Sequence, residues 1–118
     1  MGGMKTALPI ALAAASLLTA CNYTKPVMYL DLANKSQATM HNIELTHPAG
    51  IVGLPQLRPG EVHQHMTPIG TPCKFKLNFE DETGKGYHQE FDLGEKCPTE
   101  LAFDVTNGMQ AQTRVVKK

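Results

Sequence analysis

The sequence predicts a small all-β protein, an antiparallel β-sandwich of about seven strands. Three observations lead to this prediction. After residue 26 the apolar side chains form short runs that alternate with polar ones, and no apolar run has the period of a helix. Turn residues separate these runs, and the chain holds 10 Gly and 8 Pro. With only 118 residues, the protein has room for one small domain.

Seven runs have the length and composition of strands. In chain order they are residues 27–32, 39–46, 62–67, 73–80, 87–93, 101–105 and a last run that ends at Val116. The alternation is clearest over 73–80, where Phe75, Leu77 and Phe79 face one way and polar residues face the other. Seven short strands within about 90 residues are typical of an immunoglobulin-like sandwich.

Turn residues define the connections between these runs. The long connection before residue 62 is expected to be a loop, because it contains Gly53 and Pro55. It ends in Arg58-Pro59-Gly60-Glu61, where Pro and Gly occupy the central positions favoured in a type II turn. Residues 81–86 form the next predicted turn, and Asn107-Gly108 signals the last hairpin.

The first 20 residues have the pattern of a removable, helical export signal. A positive charge at Lys5 precedes an apolar run from Ala7 to Leu18. As a helix this run would reach about 18 Å, whereas the hydrocarbon core of a bilayer is about 30 Å thick. We therefore expect residues 1–20 to be cleaved, residues 21–26 to form a short tether, and residues 27–118 to fold as the sandwich.

The end of this signal resembles the lipobox of bacterial lipoproteins. Leu18-Thr19-Ala20-Cys21 supplies an apolar residue, two small residues and a cysteine in that order. The resemblance implies cleavage before Cys21, a diacylglycerol on its thiol and an acyl chain on its new amino group. Because each buried methylene contributes about 0.8 kcal/mol, several acyl chains hold a protein stably in a bilayer. The alternative is an ordinary secretory signal with no lipid on the cysteine.

The residues after Cys21 bear on where the protein is anchored. Asn22 stands in the position where an aspartate would resemble an inner-membrane retention signal. The resemblance therefore implies a lipid-anchored protein of the bacterial outer membrane that faces the periplasm. The five tether residues 22–26 extend to at most about 17 Å, so we expect the domain to lie close to the membrane.

Cys73 and Cys97 are the cysteines that remain after lipidation of Cys21. In an oxidising compartment an even pair predicts a disulfide, which would close the open end of the hairpin whose turn lies at 81–86. In the chain-entropy view a crosslink over this separation contributes about 3 kcal/mol to stability. The alternative is a reduced pair that binds a metal, although the spacing differs from that of C-x-x-C.

His63 and His65 form the candidate metal site. Alternate residues of a strand project to one face, so both imidazoles could bind one copper or zinc ion. Additional ligands are available as histidines and as thioethers for cuprous copper: His41, His47, His88, Met28, Met40 and Met109. This combination is similar to periplasmic copper chaperones of the PCuAC type, without the spaced His-x-Met pattern of that family. The alternative is a pair of polar residues on a solvent-exposed face.

Two charged segments have less specific interpretations. Glu80-Asp81-Glu82 is an acidic turn that could attract calcium, but it lacks the alternating ligands and the closing glutamate of an EF-hand loop. We expect a solubilising turn there. Arg114, Lys117 and Lys118 give a basic end, which would either contact anionic headgroups or form a solvated tail.

Composition and motifs argue against several functions. The chain balances 11 Lys+Arg with 11 Asp+Glu, which is not the charge of a nucleic-acid-binding protein. Ser36 is the one serine after residue 20, and the sequence contains no Gly-x-Ser-x-Gly elbow and no Gly-rich phosphate loop. We therefore expect no enzyme activity, no small-molecule substrate and no cofactor apart from the covalent lipid on Cys21.

The functional prediction is a non-catalytic protein-binding or structural module with a protein partner in the cell envelope. Lipoproteins of this size resemble assembly subunits of envelope machines, or immunity-type inhibitors that neutralise a toxin. The alternative function is binding or delivery of copper or zinc through His63 and His65. A hydrolase is a third class, for which the sequence offers no nucleophile motif.

Overall fold

The computed structural model describes residues 26–118 and contains eight strands in two sheets. The strands are β1 (Val27–Asn34), β2 (Met40–His47), β3 (Gly50–Leu57), β4 (Val62–Pro68), β5 (Lys74–Glu80), β6 (Gly86–Asp92), β7 (Glu100–Thr106) and β8 (Gln110–Lys117). Sheet A has the order β4-β1-β7-β8, and sheet B has the order β3-β2-β5-β6. The prediction of a small all-β sandwich is confirmed.

The predicted signal peptide and the lipidation of Cys21 lie outside the described residues. Within residues 26–118 we find no helix with the length and hydropathy needed to span a bilayer.

Two features of the strand arrangement differ from the prediction. The segment with Gly53 and Pro55, expected to be a loop, is the edge strand β3, which pairs with β2 along its length. An edge strand tolerates proline, because the N–H that proline lacks is not needed on the open side. The second difference is that β1 and β7 pair in parallel, with Leu30 opposite Leu101, whereas the other pairings are antiparallel.

The core lies between the two sheets. It consists of the alternate residues of each strand whose side chains face inward. Phe103 of β7 packs edge-on against Phe75 and Phe91 of sheet B, with ring centroids 5.1 and 5.3 Å apart. Phe75, Leu77 and Phe79 are buried, as the alternation over 73–80 predicted. Burial of such aromatic and aliphatic side chains supplies most of the free energy that holds the sheets together.

The predicted disulfide is present. Cys73 immediately precedes β5 and is fully buried, and it is bonded to Cys97 in the segment between β6 and β7. The backbone closes the same end of the hairpin, since Cys73 N donates to Gly94 O and Leu93 N donates to Cys73 O. The crosslink therefore ties the open end of the β5–β6 hairpin to the chain that enters β7.

A buried asparagine joins the two sheets at the opposite end. Asn34, at the end of β1, is 1% exposed, and its Nδ2 donates to Leu57 O of β3 and to Ala38 O, both at 2.8 Å. Its Oδ1 accepts from the backbone N and the Oγ of Ser36, at 3.0 and 2.7 Å. One side chain thus fixes both the exit from β1 and the exit from β3.

The type II turn at residues 58–61 is attached to the same asparagine. Glu61 N donates to Arg58 O at 3.0 Å, and Gly60 has a φ of 83°, as this turn type requires. Gly60 N donates to Asn34 O, and Asn34 N donates to Glu61 O. The turn that leads into β4 is therefore held against the end of β1.

The two ends of the sandwich have different contents. At one end, called the tether end, Pro26 leads into β1, the disulfide crosslinks the chain, and Glu100 pairs with Lys117 of β8. At the other end, called the far end, lie Asn34 and the turns at residues 58–61 and 81–86. The parallel pairing of β1 with β7 places the start of β1 and the end of β8 together at the tether end.

We expect Asn34→Asp to lower the free energy of unfolding by at least about 2 kcal/mol, because the carboxylate loses both donated bonds and leaves buried acceptors unpaired. Urea unfolding at neutral pH measures this change. Gln112→Ala, on the exposed face of β8, serves as the control and is expected to stay within about 0.5 kcal/mol of the wild type. An Asn34→Asp protein as stable as this control would contradict the role of the network.

Candidate functional site

The arrangement of β4 is opposite to that of an ordinary sandwich strand. Its apolar residues Val62 and Met66 face solvent, while His63, His65 and Thr67 face the space between the sheets. The register with β1 sets this orientation, because His65 lies opposite the buried Leu30 and Met66 lies opposite Tyr29. The strand thus exposes apolar surface and half-buries polar surface.

His63 and His65 share one face, as their spacing predicted. That face is the inner one, so the alternative of two histidines on a solvent-exposed face is wrong. Both rings border a small apolar space that also contacts β1, β2 and β3, with Leu30, Leu32, Ile43, Leu45, Val52 and Leu54 around it. The histidines therefore lie at the open side of the sandwich between the edge strands β3 and β4.

His47 is the third histidine at this place. It ends β2 and is buried, and its ring centroid lies 5.5 Å from that of His65. Ala49 N donates to its Nδ1 at 3.2 Å, and Thr67 Oγ1 lies 3.4 Å from the same nitrogen. A ring that accepts at Nδ1 carries its proton on Nε2, so His47 is neutral in this geometry.

The pKa of His47 is lowered from its usual value, first because burial disfavours the imidazolium and second because His65 lies nearby. A neutral imidazole is the form that ligates metals. Within residues 26–118, however, no group of three or more His, Cys, Asp or Glu side chains is arranged to hold a metal ion.

The other residues considered as metal ligands are dispersed. His41 lies at the start of β2, the opposite end from His47, and His88 lies on β6, where it contacts Glu90 at 2.9 Å. Met28 and Met40 are fully buried core residues, and Met109 packs against the core. Of the predicted set, Met28 lies opposite Thr67 of β4 as a core residue, and His47 is the one whose ring lies beside that of His65.

Exposed apolar side chains lie on the outer face of strands β1 and β4 in sheet A, and we call this group the outer patch. It consists of Val27 and Tyr29 of β1 with Val62 and Met66 of β4, which are 39, 38, 62 and 58% exposed. Tyr29 and Met66 are direct cross-strand neighbours, and Val27 pairs with Pro68. Val62 is separated from these residues by the Asp31–Gln64 pair, so the contiguous apolar part is formed by Val27, Tyr29, Met66 and Pro68. Tyr and Met are enriched in the cores of protein interfaces, and contiguous apolar surface marks binding sites.

Polar groups border the outer patch. Gln64 Nε2 donates to Asp31 Oδ1 at 2.8 Å and lies 3.5 Å from Glu100 Oε2, so it lies between two carboxyl groups. The pKa of Glu100 is raised, mainly by its hydrogen bond with Asp31, while Lys117 and Arg114 oppose that shift. Two carboxyl groups this close repel when both are ionised, which is the direction of the raised pKa of Glu100.

Sequence patterning missed the outer patch because Tyr29 belongs to a run whose other face forms the core. The available signal was in β4, where alternation placed Met66 opposite the histidines. An assignment of the histidines to the inner face would have exposed Val62 and Met66. However, residues 62–66 place three consecutive polar residues between two apolar ones, so both faces of the strand are partly polar and the pattern does not specify which face is buried.

The acidic turn and the basic end have structural roles. Asp81 accepts hydrogen bonds from Thr83 Oγ1 at 2.6 Å, from Thr83 N and Lys85 N, and from Tyr87 OH. These bonds, that from Thr83 first, lower the pKa of Asp81 to about 2. Its carboxylate is therefore engaged within the turn.

The basic end is not a tail, because residues 110–117 form β8. Arg114 donates two hydrogen bonds to the carboxylate of Asp104, the shorter at 2.9 Å. Lys35 also lies 3.4 Å from that carboxylate. Ser36, the serine considered in the sequence, is buried in the Asn34 network, where its Oγ bonds to Asn34 and to Ala38.

Comparison with known proteins indicates the fold alone. No protein-family model and no curated protein matches the chain. Among solved structures, the chain is similar to a protein from Eubacterium rectale determined by NMR, with a TM-score of 0.55 and 13% sequence identity over 80% of this chain and 92% of that one. A likeness at this identity supports the sandwich architecture and carries no function.

We expect the stability of the protein to fall as the pH decreases from about 7.5 to about 5.5, with His47 as a main contributor. Its pKa is lower in the folded state than the usual 6.5, so the unfolded chain binds more protons below that pH and unfolding becomes more favourable. Urea unfolding at several pH values measures the slope. His47→Gln is expected to flatten it, and His41→Gln, at the other end of β2, is the control. Equal slopes in His47→Gln and the wild type would contradict this assignment.

Proposed function

We propose that this chain is a bacterial lipoprotein, anchored in the outer membrane through lipid on Cys21 and facing the periplasm, that binds another envelope protein through the outer patch. The observation that carries the proposal is the inverted strand β4. A strand that only completed a sandwich would bury Val62 and Met66 and expose its histidines. Exposing Val62 and Met66 to water is unfavourable, and a partner protein that covers them would remove this free-energy cost.

The position of the outer patch supports a partner in the envelope. Val27 belongs to the patch and follows Pro26, the last tether residue. A tether of five residues, at most about 17 Å long, would hold this surface close to the bilayer. A partner that also resides at the membrane surface could reach it without crossing the periplasm.

The charge next to the outer patch favours a protein over a lipid surface as its ligand. Asp31 and Glu100 lie beside the apolar residues, and anionic headgroups would be repelled by them. A protein partner can place polar or basic groups against the two carboxyl groups while its own apolar residues cover Tyr29 and Met66.

The proposal predicts that a photoreactive residue introduced at Met66 captures one reproducible protein partner in living cells of the host. Tyr29→Ser in the same chain should reduce capture several-fold, because it removes the apolar neighbour of position 66. Mass spectrometry of the crosslinked species measures both results.

Two controls make this experiment specific. A photoreactive residue at Ile51, which is 65% exposed on sheet B, tests for random contact and should capture nothing reproducible. Cys21→Ser should release the chain from the membrane fraction, which tests the lipid anchor separately. Equal capture from positions 51 and 66, or no capture from position 66, would refute binding through the outer patch.

Binding or delivery of copper or zinc is a second candidate function, favoured by the placement of His47 beside His65. Together with His63 these side chains give three imidazoles at one open side of the sandwich. Copper(I), copper(II) and zinc titrations of the soluble chain Asn22–Lys118 test this function. Tight uptake that is lost in His63→Ala/His65→Ala would establish it, and absence of uptake would eliminate it.

A further inference from the structure

The four edge strands of the sandwich differ in how they are protected from pairing with another chain. Strand β3 contains Pro55, β4 ends in Pro68, and β6 presents Glu90 and Asp92, which are devices that discourage strand addition. Strand β8 has no proline, its one interior charge, Arg114, is bound to Asp104, and its pairing with β7 is regular from Gln110 to Val115, with a bulge only between Val115 and Lys117. It is therefore the edge most open to a partner strand.

The Gln89 carboxamide shows where the hydrogen-bonding groups of this edge point. Gln89 of β6 donates from Nε2 to Ala111 O at 2.7 Å and accepts from Ala111 N at 3.0 Å, so it makes both bonds that a neighbouring strand would make. The backbone groups of Ala111 thus point away from β7. Because these groups alternate along a strand, those of Thr113 and Val115 point the same way.

No other strand pairs with this side of β8 in the described part of the chain, and we find no side-chain hydrogen bonds to the backbone of Thr113 or Val115 there. Gln89 therefore fills one position of the edge and leaves the next two open. A partner strand could pair from Thr113 to Val115. Its register would be limited by Gln89 on one side and by the bulge before Lys117 on the other.

An open groove lies beside the unpaired part of β8. Its lining is mostly apolar, with Leu93, Cys97, Pro98 and the half-exposed Val115, and its volume is about 420 Å³. Lys96 and Lys118 are the charged residues that line it. The groove thus combines an apolar floor with positive charge and has no carboxylate side chain in its lining.

We propose that the β8 edge from Thr113 to Val115 accepts an extended segment of another protein as an added strand. The segment carries an apolar side chain for the groove and an acidic residue for Lys96 and Lys118. Backbone pairing supplies affinity, and the groove supplies specificity, as in other cases of strand addition. This surface is separate from the outer patch, so the inference does not depend on the function proposed there.

A second copy of this chain fits the edge poorly. An antiparallel pair that joins Thr113 to Val115 of the other copy places Arg114 opposite itself, and like charges directly opposite destabilise a sheet. An antiparallel pair centred on Thr113 needs the backbone of Ala111, which Gln89 already occupies. A different chain with acidic residues meets neither obstacle.

The test uses an eight-residue peptide with blocked ends, in which valine alternates with a polar residue that is either glutamate or threonine. A matched peptide has lysine in place of each glutamate. NMR titration of the intact chain is expected to shift the amide signals of Thr113 and Val115 with the acidic peptide, and much less with the basic one. Equal binding of the two peptides, or no binding of the acidic one, would overturn the proposal.

Two variants with opposite expected effects locate the binding. Thr113→Pro removes one N–H from the open edge without removing a bond to β7 and should weaken binding roughly fivefold. Gln89→Ala exposes the backbone of Ala111 and should strengthen binding several-fold, which keeps the test informative if Thr113→Pro does not fold. If Gln89→Ala binds the peptide with unchanged affinity, the proposal is overturned. It is also overturned if sedimentation shows a concentration-dependent dimer of the chain that prevents peptide binding, because the occupant of the edge would then be a second copy.

Discussion

The hydrogen bonds of Asn34 are the constraint on which the other features of this molecule depend. This one buried side chain, with its own backbone groups, holds the end of β1, the end of β3 and the turn at residues 58–61. The turn delivers β4 to the edge of β1 in a defined register. A shift of one residue would exchange the faces of β4, bringing Val62 and Met66 inward and turning the histidines outward. Both candidate sites on β4 therefore follow from contacts made at the far end.

Alternation and turn residues were sufficient to predict the architecture, but they could not predict the pairing of strands. Phe75, Leu77 and Phe79 identified a buried face, and the even pair of cysteines that remains after Cys21 led to the correct disulfide. Strand β3 was missed because Gly53 and Pro55 indicate a loop, whereas an open edge accommodates both. The parallel pair of β1 and β7 was not predictable, because the two strands are far apart in sequence and periodicity does not encode partners.

The candidate sites could be predicted only in part. The spacing of His63 and His65 was enough to place them on one face, and it could not say which face, because that choice depends on the register with β1. The contact with His47 arises between the two sheets and has no local signal. The outer patch and the β8 edge are likewise tertiary features: the first needs the pairing of Tyr29 with Met66, and the second needs the side chain of Gln89 from the opposite sheet.

The parallel pairing of β1 with β7 has a practical consequence for experiments on this protein. Because it brings Val27 and Lys117 to the same end of the sandwich, a fluorescent protein or affinity tag fused after Lys118 would stand beside the tether, next to the groove and close to the outer patch. Such a fusion would compete sterically with the bilayer and with either partner. The turn at residues 81–86 is at the opposite end, and Gly84 there has open space around it. It is the place where a reporter can be inserted without obstructing the surfaces that the rest of the fold exposes.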